Sequence, residues 1–461
     1  MISTPADVPT AQALDDAMAA VRAREFAMLD EQGLTYLDFT GAALPSASQI
    51  LAHDALLRGS ILGNPHSEHA PSRAASVRIH GARERVLNFL DADPAEYDVC
   101  FVANTSAACK LVAESFPFGA NSSLVLTADN HNSVNGTREF ARRAGARLLT
   151  IPLTSTLEFD QPNAWLVRGV ARGPSLFAFP AQSNFSGGRH PLSLVADAQK
   201  LGYAVLLDAA AYVPTSRLDL RSVRPDFVTI SFYKLFGIPT GIGALVARRG
   251  ALAQLRRPWF AGGTVDWVSV QHEAHQLRPS IDAFEDGTPN YYGIAALESG
   301  FDLLEGIGMD RVNAHVARLT TVLLAELGRQ VHDGGAPVFR VYGKTTTEGR
   351  GGSVALNLLD RAGKIIPYEP VESRARDERV AVRSGCFCNP GASEASFDFP
   401  AAAARDCFGT ASVGGFTPRK FGDCIGGEYA AGAVRLAVGV PTTASEVERA
   451  VRALAAMARD G

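Results

Sequence analysis

Short, continuous apolar runs separated by amphipathic stretches dominate the chain between about residues 98 and 248. The runs at 99–103, 123–127, 147–151, 175–179, 204–207, 227–231 and 243–247 each have the length of a buried strand. Helical periodicity covers about 107–116, 135–144 and 192–201 between them. This alternation predicts an α/β fold whose mostly parallel, seven-stranded-type sheet is sandwiched by helices. A long helical stretch at 292–307 leads out of that unit. Helices at 311–330 and 444–459, with strands at 338–341 and 353–358, predict a smaller α+β C-terminal domain. The expected division is a large domain at 31–305 and a small one at 306–461, to which the N-terminal segment 1–30 belongs. The stretch 393–432, rich in Ala, Gly and Phe, reads as a long loop excursion.

Composition narrows the function classes. A net charge of -4 over 461 residues gives no field that would attract nucleic acid or an anionic membrane. No apolar stretch approaches the roughly 18 residues of a membrane span, and residues 1–20 lack the apolar core of a signal peptide. Six cysteines in a chain this long do not suggest a disulfide framework, so the expected compartment is the reducing cytoplasm. Only six lysines are present, at 110, 200, 234, 344, 364 and 420, which leaves few candidates for amine chemistry.

Lys234 follows the apolar run 227–231 and precedes a Gly-rich turn at 237–243. Burial at such a place lowers an amine's pKa and suits it to forming a Schiff base, although a surface lysine at a strand edge is the plainer reading. Asp208 ends the run 204–207, where the carboxyl end of a central strand faces a ligand crevice. There it could keep a heterocyclic nitrogen protonated, although Asp is also common as a turn or helix cap. The 26-residue separation of the two, one helical connection, makes a chance pairing much less attractive. Thr105 and Ser106 open a helix and suit a phosphate, or simply cap it. His131, in a loop after 123–127, could stack on a ring and move protons, whereas a lone loop histidine usually does neither.

Together these residues resemble the class V, fold-type I pyridoxal-phosphate enzymes that include cysteine desulfurases, and within them the N-terminal, desulfurase-like domain of molybdenum-cofactor sulfurases. The resemblance is carried by Tyr36-Leu37-Asp38 with Gly41-Ala42-Ala43-Leu44, and by Gly63-Asn64-Pro65-His66-Ser67. It continues through Pro180-Ala181-Gln182-Ser183-Asn184-Phe185-Ser186-Gly187 and Phe232-Tyr233-Lys234-Leu235-Phe236-Gly237 with Pro239-Thr240-Gly241. Most specific is Arg383-Ser384-Gly385-Cys386-Phe387-Cys388-Asn389-Pro390-Gly391-Ala392, followed by Gly422-Asp423-Cys424 and Gly432-Ala433-Val434-Arg435. These motifs occur in order over nearly the whole chain.

The resemblance implies pyridoxal 5'-phosphate bound on Lys234, with Asp208 on its ring nitrogen, His131 stacked on the ring and Asn184 near its hydroxyl or the substrate. Thr105, Ser106 and Ser231 would hold the phosphate. Thr288, beside Gly287, would reach the phosphate of a partner subunit, implying a homodimer. Arg435 would clamp the carboxylate of L-cysteine, and Cys388 would become the persulfide, with alanine as co-product and a sulfur-acceptor protein beyond. Arg383 is near Cys388 in sequence and could lower its pKa if it is near in space.

Three departures qualify this. A full sulfurase continues into a further domain beyond the point where this chain ends, so the acceptor is open. Ala211 stands where general desulfurases place Gln, and Ser393 where the sulfurase motif often has Cys. A four-thiolate zinc site from Cys386, Cys388, Cys407 and Cys424 is disfavoured by its spacing, so no metal is expected. His272 and His275 lack zinc-protease spacing and read as a solvated helix face, while Cys100 and Cys109 read as core. The competing functions are a lyase, decarboxylase, epimerase or aldol-type enzyme on the same scaffold, and a degenerate scaffold that binds a partner.

Overall fold

The computed structural model describes residues 11–397, 401–411, 415, 417–425 and 432–460. Residues 1–10 of the N-terminal reading, and parts of the 393–432 excursion, lie outside the described residues.

Seven strands form the main sheet: β1 (Tyr97–Val102), β2 (Ser123–Thr127), β3 (Arg147–Ile151), β4 (Ser175–Pro180), β5 (Tyr203–Asp208), β6 (Phe227–Ser231) and β7 (Gly243–Arg248). Their order is β1-β7-β6-β5-β4-β2-β3, and only β7 runs against its neighbours. Side chains alternate across the sheet, so β1 sends Tyr97, Val99 and Phe101 into one core layer and Cys100 into the other. Helices Ala70–Phe89 and Tyr291–Ile307 cover the first face, and Thr105–Ser115 the second. Strands β2, β4 and β6 are buried at every residue, as expected when helices cover both faces. Their near-continuous apolar runs follow from that.

A second, antiparallel sheet contains β8 (Phe339–Val341), β9 (Ser353–Leu358), β10 (Arg383–Gly385) and β11 (Ala433–Ala437), in the order β8-β9-β11-β10. Val354, Leu356, Val434 and Leu436 share a core with helices Met309–Arg329 and Ala444–Asp460, and with Leu14, Met18 and Val21 of the helix Ala11–Glu25. Among the described residues no helix is long and apolar enough to cross a membrane.

Several expectations need correction. The described parts of 393–432 are helical, at Pro390–Phe397, Ala401–Ala411 and Pro418–Ile425, rather than an extended loop. Cys407 and Cys424 form a disulfide, 17 residues apart in sequence, which removes them from any zinc set and adds one bridge where no disulfide framework was expected. His272 and His275 lie not on a helix but on the turn and second strand of an antiparallel hairpin, Val265–Ser269 with Ala274–Leu277. The helix expected at 135–144 is two short ones, Asn132–Asn135 and Thr137–Arg143.

The element that carries Lys234 is the five-residue helix Phe232–Phe236 immediately after β6. Phe232 and Phe236 are four apart, so they share one face, and both meet Phe301 edge-on at 6.0 and 5.4 Å. This anchors the helix and turns Lys234 to the other side. The chain then leaves through Gly237 at φ +83°, where an added Cβ would sit 2.3 Å from Pro45 N and 2.4 Å from Leu44 C. Gly237→Ala is therefore expected to cost about 2–5 kcal/mol through backbone strain and overpacking. Denaturant titration of purified protein checks this, and an unchanged midpoint would contradict it.

Candidate active site

Three strand ends of the main sheet, Pro180, Asp208 and Ser231, converge on one cavity of about 340 Å³, within the range of small-molecule sites. It opens at the carboxyl ends of the parallel strands, the usual ligand position of an open α/β sheet. Ser106, His131, Asn184, Asp208, Ser231 and Lys234 all line it. These residues are separated by up to 128 positions in sequence, so the topology alone brings them together.

Asp208 is the last residue of β5, and its carboxylate accepts the Ala210 N–H at 3.0 Å and the Thr229 hydroxyl at 3.4 Å. Thr229 lies opposite Asp208 on β6, five residues before Lys234. Burial lowers the Lys234 ammonium pKa, and the Arg435 and Arg383 guanidiniums push the same way, against Asp208 and Cys388. A less readily protonated amine beside a buried carboxylate results.

One wall of the cavity is built for an anion. Asn104 caps the helix Thr105–Ser115 by accepting the Ala107 N–H at 3.0 Å. The Thr105 N–H donates to Ser231 Oγ at 3.1 Å, and the two hydroxyls of this pair are 2.8 Å apart. Ser106 Oγ meets Ser133 Oγ at 2.5 Å. A helix start with several hydroxyls suits a phosphate without a metal. Among the described residues no cluster could hold a metal ion.

His131 accepts the Ser133 N–H on Nδ1 at 3.1 Å, which places the ring proton on Nε2. Burial lowers its pKa first, Lys234 and Arg435 add to this, and Asp208 opposes it. The ring is therefore held neutral near pH 7.

Two arginines lie above this floor. Arg383 on β10 is directly opposite Arg435 on β11, an arrangement of like charges that is destabilising by itself. Asp38 resolves it, taking Arg383 at 2.7–3.0 Å and Arg435 Nη2 at 2.9 Å. Arg435 also donates from Nη1 to the Asn184 carbonyl at 2.7 Å, and its guanidinium lies 4.9 Å from the Phe387 ring centroid. Its Nε is buried without a hydrogen-bond partner. Both Nη atoms of the fork expected to face a substrate carboxylate are thus already engaged, and Arg435 is not among the residues that line the cavity. Asp38→Asn is expected to cost about 3–5 kcal/mol, because it leaves Arg435 buried without its counter-charge. Comparing urea midpoints of the variant and parent checks this.

Cys388 is exposed on a turn in which it and Phe387 both have positive φ, +57° and +54°. Its carbonyl accepts the Asn132 N–H at 2.7 Å, so the turn rests on the loop that carries His131. Thr288 is not in this cavity: it is exposed, accepts a hydrogen bond from Asn64 Nδ2 at 3.2 Å, and lines a neighbouring cavity that meets the first at Ala103 and Gly241. Sequence reading missed the roles of Asp38 and Ser133. Asp38 was visible only as part of a motif, and Ser133 had no signal beyond its place two residues after His131.

The family model described as class-V aminotransferase matches residues 35–449. Human molybdenum cofactor sulfurase is 35% identical over 454 residues, which cover 94% of this chain and 50% of that protein. The chain spans about half the length of the curated relatives it matches. An apo cysteine desulfurase from Thermococcus onnurineus NA1 superposes with a TM-score of 0.76 at 24% identity, covering 95% of this chain and 97% of that one. A C-DES variant with glycine covalently linked to its PLP cofactor gives 0.70 at 16% identity, covering 94% and 98%. At these identities the two solved structures establish the fold.

Proposed function

The chain belongs to the class-V aminotransferase family, and from that premise we propose that it is a pyridoxal-phosphate enzyme that moves sulfur from L-cysteine to Cys388, forming a persulfide and alanine. The observation that carries this reading is one cavity joining a buried amine, a buried carboxylate and a helix start rich in hydroxyls, with an exposed thiol on the adjoining turn.

Lys234 would hold the cofactor covalently, Asp208 would keep its ring nitrogen protonated, and Thr105, Ser106 and Ser231 would bind its phosphate. His131 would lie on the ring face and Asn184 at its edge. Bound pyridoxal phosphate supplies an electron sink for a bond breaking at the substrate α-carbon. Lys234 moves the α-proton, for which a depressed amine pKa is suited. Arg435 would meet the substrate carboxylate with the guanidinium N–H groups that Asp38 and the Asn184 carbonyl leave free. Cys388 as thiolate would attack the substrate sulfur: the new S–S bond forms as the C–S bond breaks, the C–S electron pair stays on the substrate β-carbon, which takes up a proton, and alanine leaves once a proton is returned to the α-carbon.

The finer assignments belong to the same proposal. The large domain is 31–305, and the small domain is 306–461 with 1–30. The active form is a homodimer in which the exposed Thr288, on a turn begun by Gly287 at φ +76°, reaches the partner's phosphate. The persulfide passes to a separate acceptor, and the protein works in the cytoplasm.

The test is purified, cofactor-loaded protein with L-cysteine, with and without a thiol reductant. Alanine and sulfide in equal amounts with reductant are expected. Inert cysteine, with consumption of another amino acid, would return the function to the lyase, decarboxylase, epimerase or aldol-type alternatives.

A further inference from the structure

We propose that Asn389 is a positioning residue that holds the Cys388 thiol in place, by tying a strained turn to two strand ends of the main sheet. This rests on the sulfur-transfer reading for its consequence, though not for its geometry.

Two consecutive non-glycine residues in the left-handed region, Phe387 and Cys388, are strained and persist only when their surroundings fix them. The three carbonyls of this turn are all engaged. The Cys386 carbonyl accepts the Asn389 N–H at 2.9 Å, that of Phe387 accepts Asn184 Nδ2 at 2.7 Å, and that of Cys388 accepts the Asn132 N–H at 2.7 Å. Asn389 is completely buried, and its amide nitrogen donates to Asp129 Oδ1 at 2.7 Å and Asn184 Oδ1 at 3.0 Å. Its side-chain oxygen accepts the Ala392 N–H at 3.2 Å, starting the next helix.

The bond to Asn184 decides more than its own strength. By donating to Asn184 Oδ1, Asn389 fixes which way that amide faces, and so keeps Asn184 Nδ2 aimed at the Phe387 carbonyl. Without it, the Asn184 amide is free to turn and the Phe387 hook is lost. Asp129 is an equally fixed anchor. It is completely buried, accepts the Ser183 hydroxyl at 2.8 Å, and lies 2.7 Å from His190 Nε2, whose ring stacks on Phe159 at 3.6 Å. Close docking is enforced at Gly391, where an added Cβ would lie 2.1 Å from the Ala128 carbonyl oxygen. Cys388 is not itself a lining residue, but its charge bears on Lys234 and Tyr233, both of which line the cavity.

Asn389→Leu keeps the approximate volume and removes every side-chain hydrogen bond. Misplacing a reacting group by about 1 Å can cost about 100-fold. The variant is expected to form alanine about 100-fold more slowly, with KM for cysteine within about twofold of the parent. Without substrate, Cys388 should react faster with iodoacetamide, as the released turn exposes its sulfur in more orientations. Asn389→Ser, which keeps one donor, serves if the leucine variant does not fold, and should show the same split at about 10-fold. Parental turnover and alkylation in the variant that folds would overturn the proposal. If the parent itself forms no alanine but the variant alkylates faster, the positioning role stands and the sulfur-transfer reading falls.

Discussion

Lys234→Ala is expected to fold normally, hold pyridoxal phosphate only by non-covalent contacts, and form alanine from cysteine about 10⁴-fold more slowly or worse. Folding should survive because Phe232 and Phe236, not Lys234, anchor the short helix against Phe301. Turnover should not, because the proposed function gives the same amine both the attachment of the cofactor and the movement of the α-proton. Borohydride reduction of the parent followed by peptide mapping should label Lys234 and none of the other five lysines. A second signature needs no cofactor. In the cofactor-free parent, burial lowers the His131 pKa most and the Lys234 charge lowers it further. Removing that charge should raise the His131 titration part of the way to its ordinary value of about 6.5, since burial and Arg435 remain. Proton NMR of the imidazole reads this directly. A label on another lysine, or a His131 titration unmoved by the substitution, would remove Lys234 from the centre of the site.

How much was legible in sequence follows from which signals are local. The inner strands of the main sheet were readable because strands covered on both faces must be continuously apolar, and the ends of two of them then located Asp208 and Lys234. The second sheet was half readable. Phe339–Val341 and Ser353–Leu358 carry enough apolar residues, but Arg383–Gly385 and Ala433–Ala437 are short and place arginines opposite one another. Those arginines are tolerated only because of Asp38, which lies 345 and 397 residues away in the chain. No periodicity encodes such a contact. The hairpin around His272 was misread because two short exposed strands show neither alternation nor an apolar run. The Cys407–Cys424 pairing was hidden for a different reason: spacing alone does not distinguish a bridge from a pair of unconnected thiols. The buried Asn389–Asp129 contact joins residues 260 apart, and an Asn in a Cys-Asn-Pro run reads first as a turn residue.

Cys388→Ala is expected to keep the cofactor and bind cysteine, yet lose sulfide release by about 10³-fold or more, a loss typical of removing a nucleophile. No other cysteine of the chain is placed to substitute. Cys100 and Cys109 are buried, and burial pushes both thiols far above the ordinary range, so neither forms a thiolate near neutral pH. Cys407 and Cys424 are bonded to each other. Cys386, two residues away, is less exposed than Cys388. Substitution should not disturb the fold, because Cys388 is exposed and its one recorded hook is a backbone carbonyl. Mass spectrometry of the parent after one turnover without reductant should find an extra sulfur on the Cys388 peptide and none on the alanine variant. Should the variant release sulfide at the parental rate, the sulfur leaves by elimination without a protein nucleophile. The protein would then be a lyase, and the strained turn that carries Cys388 would need another explanation.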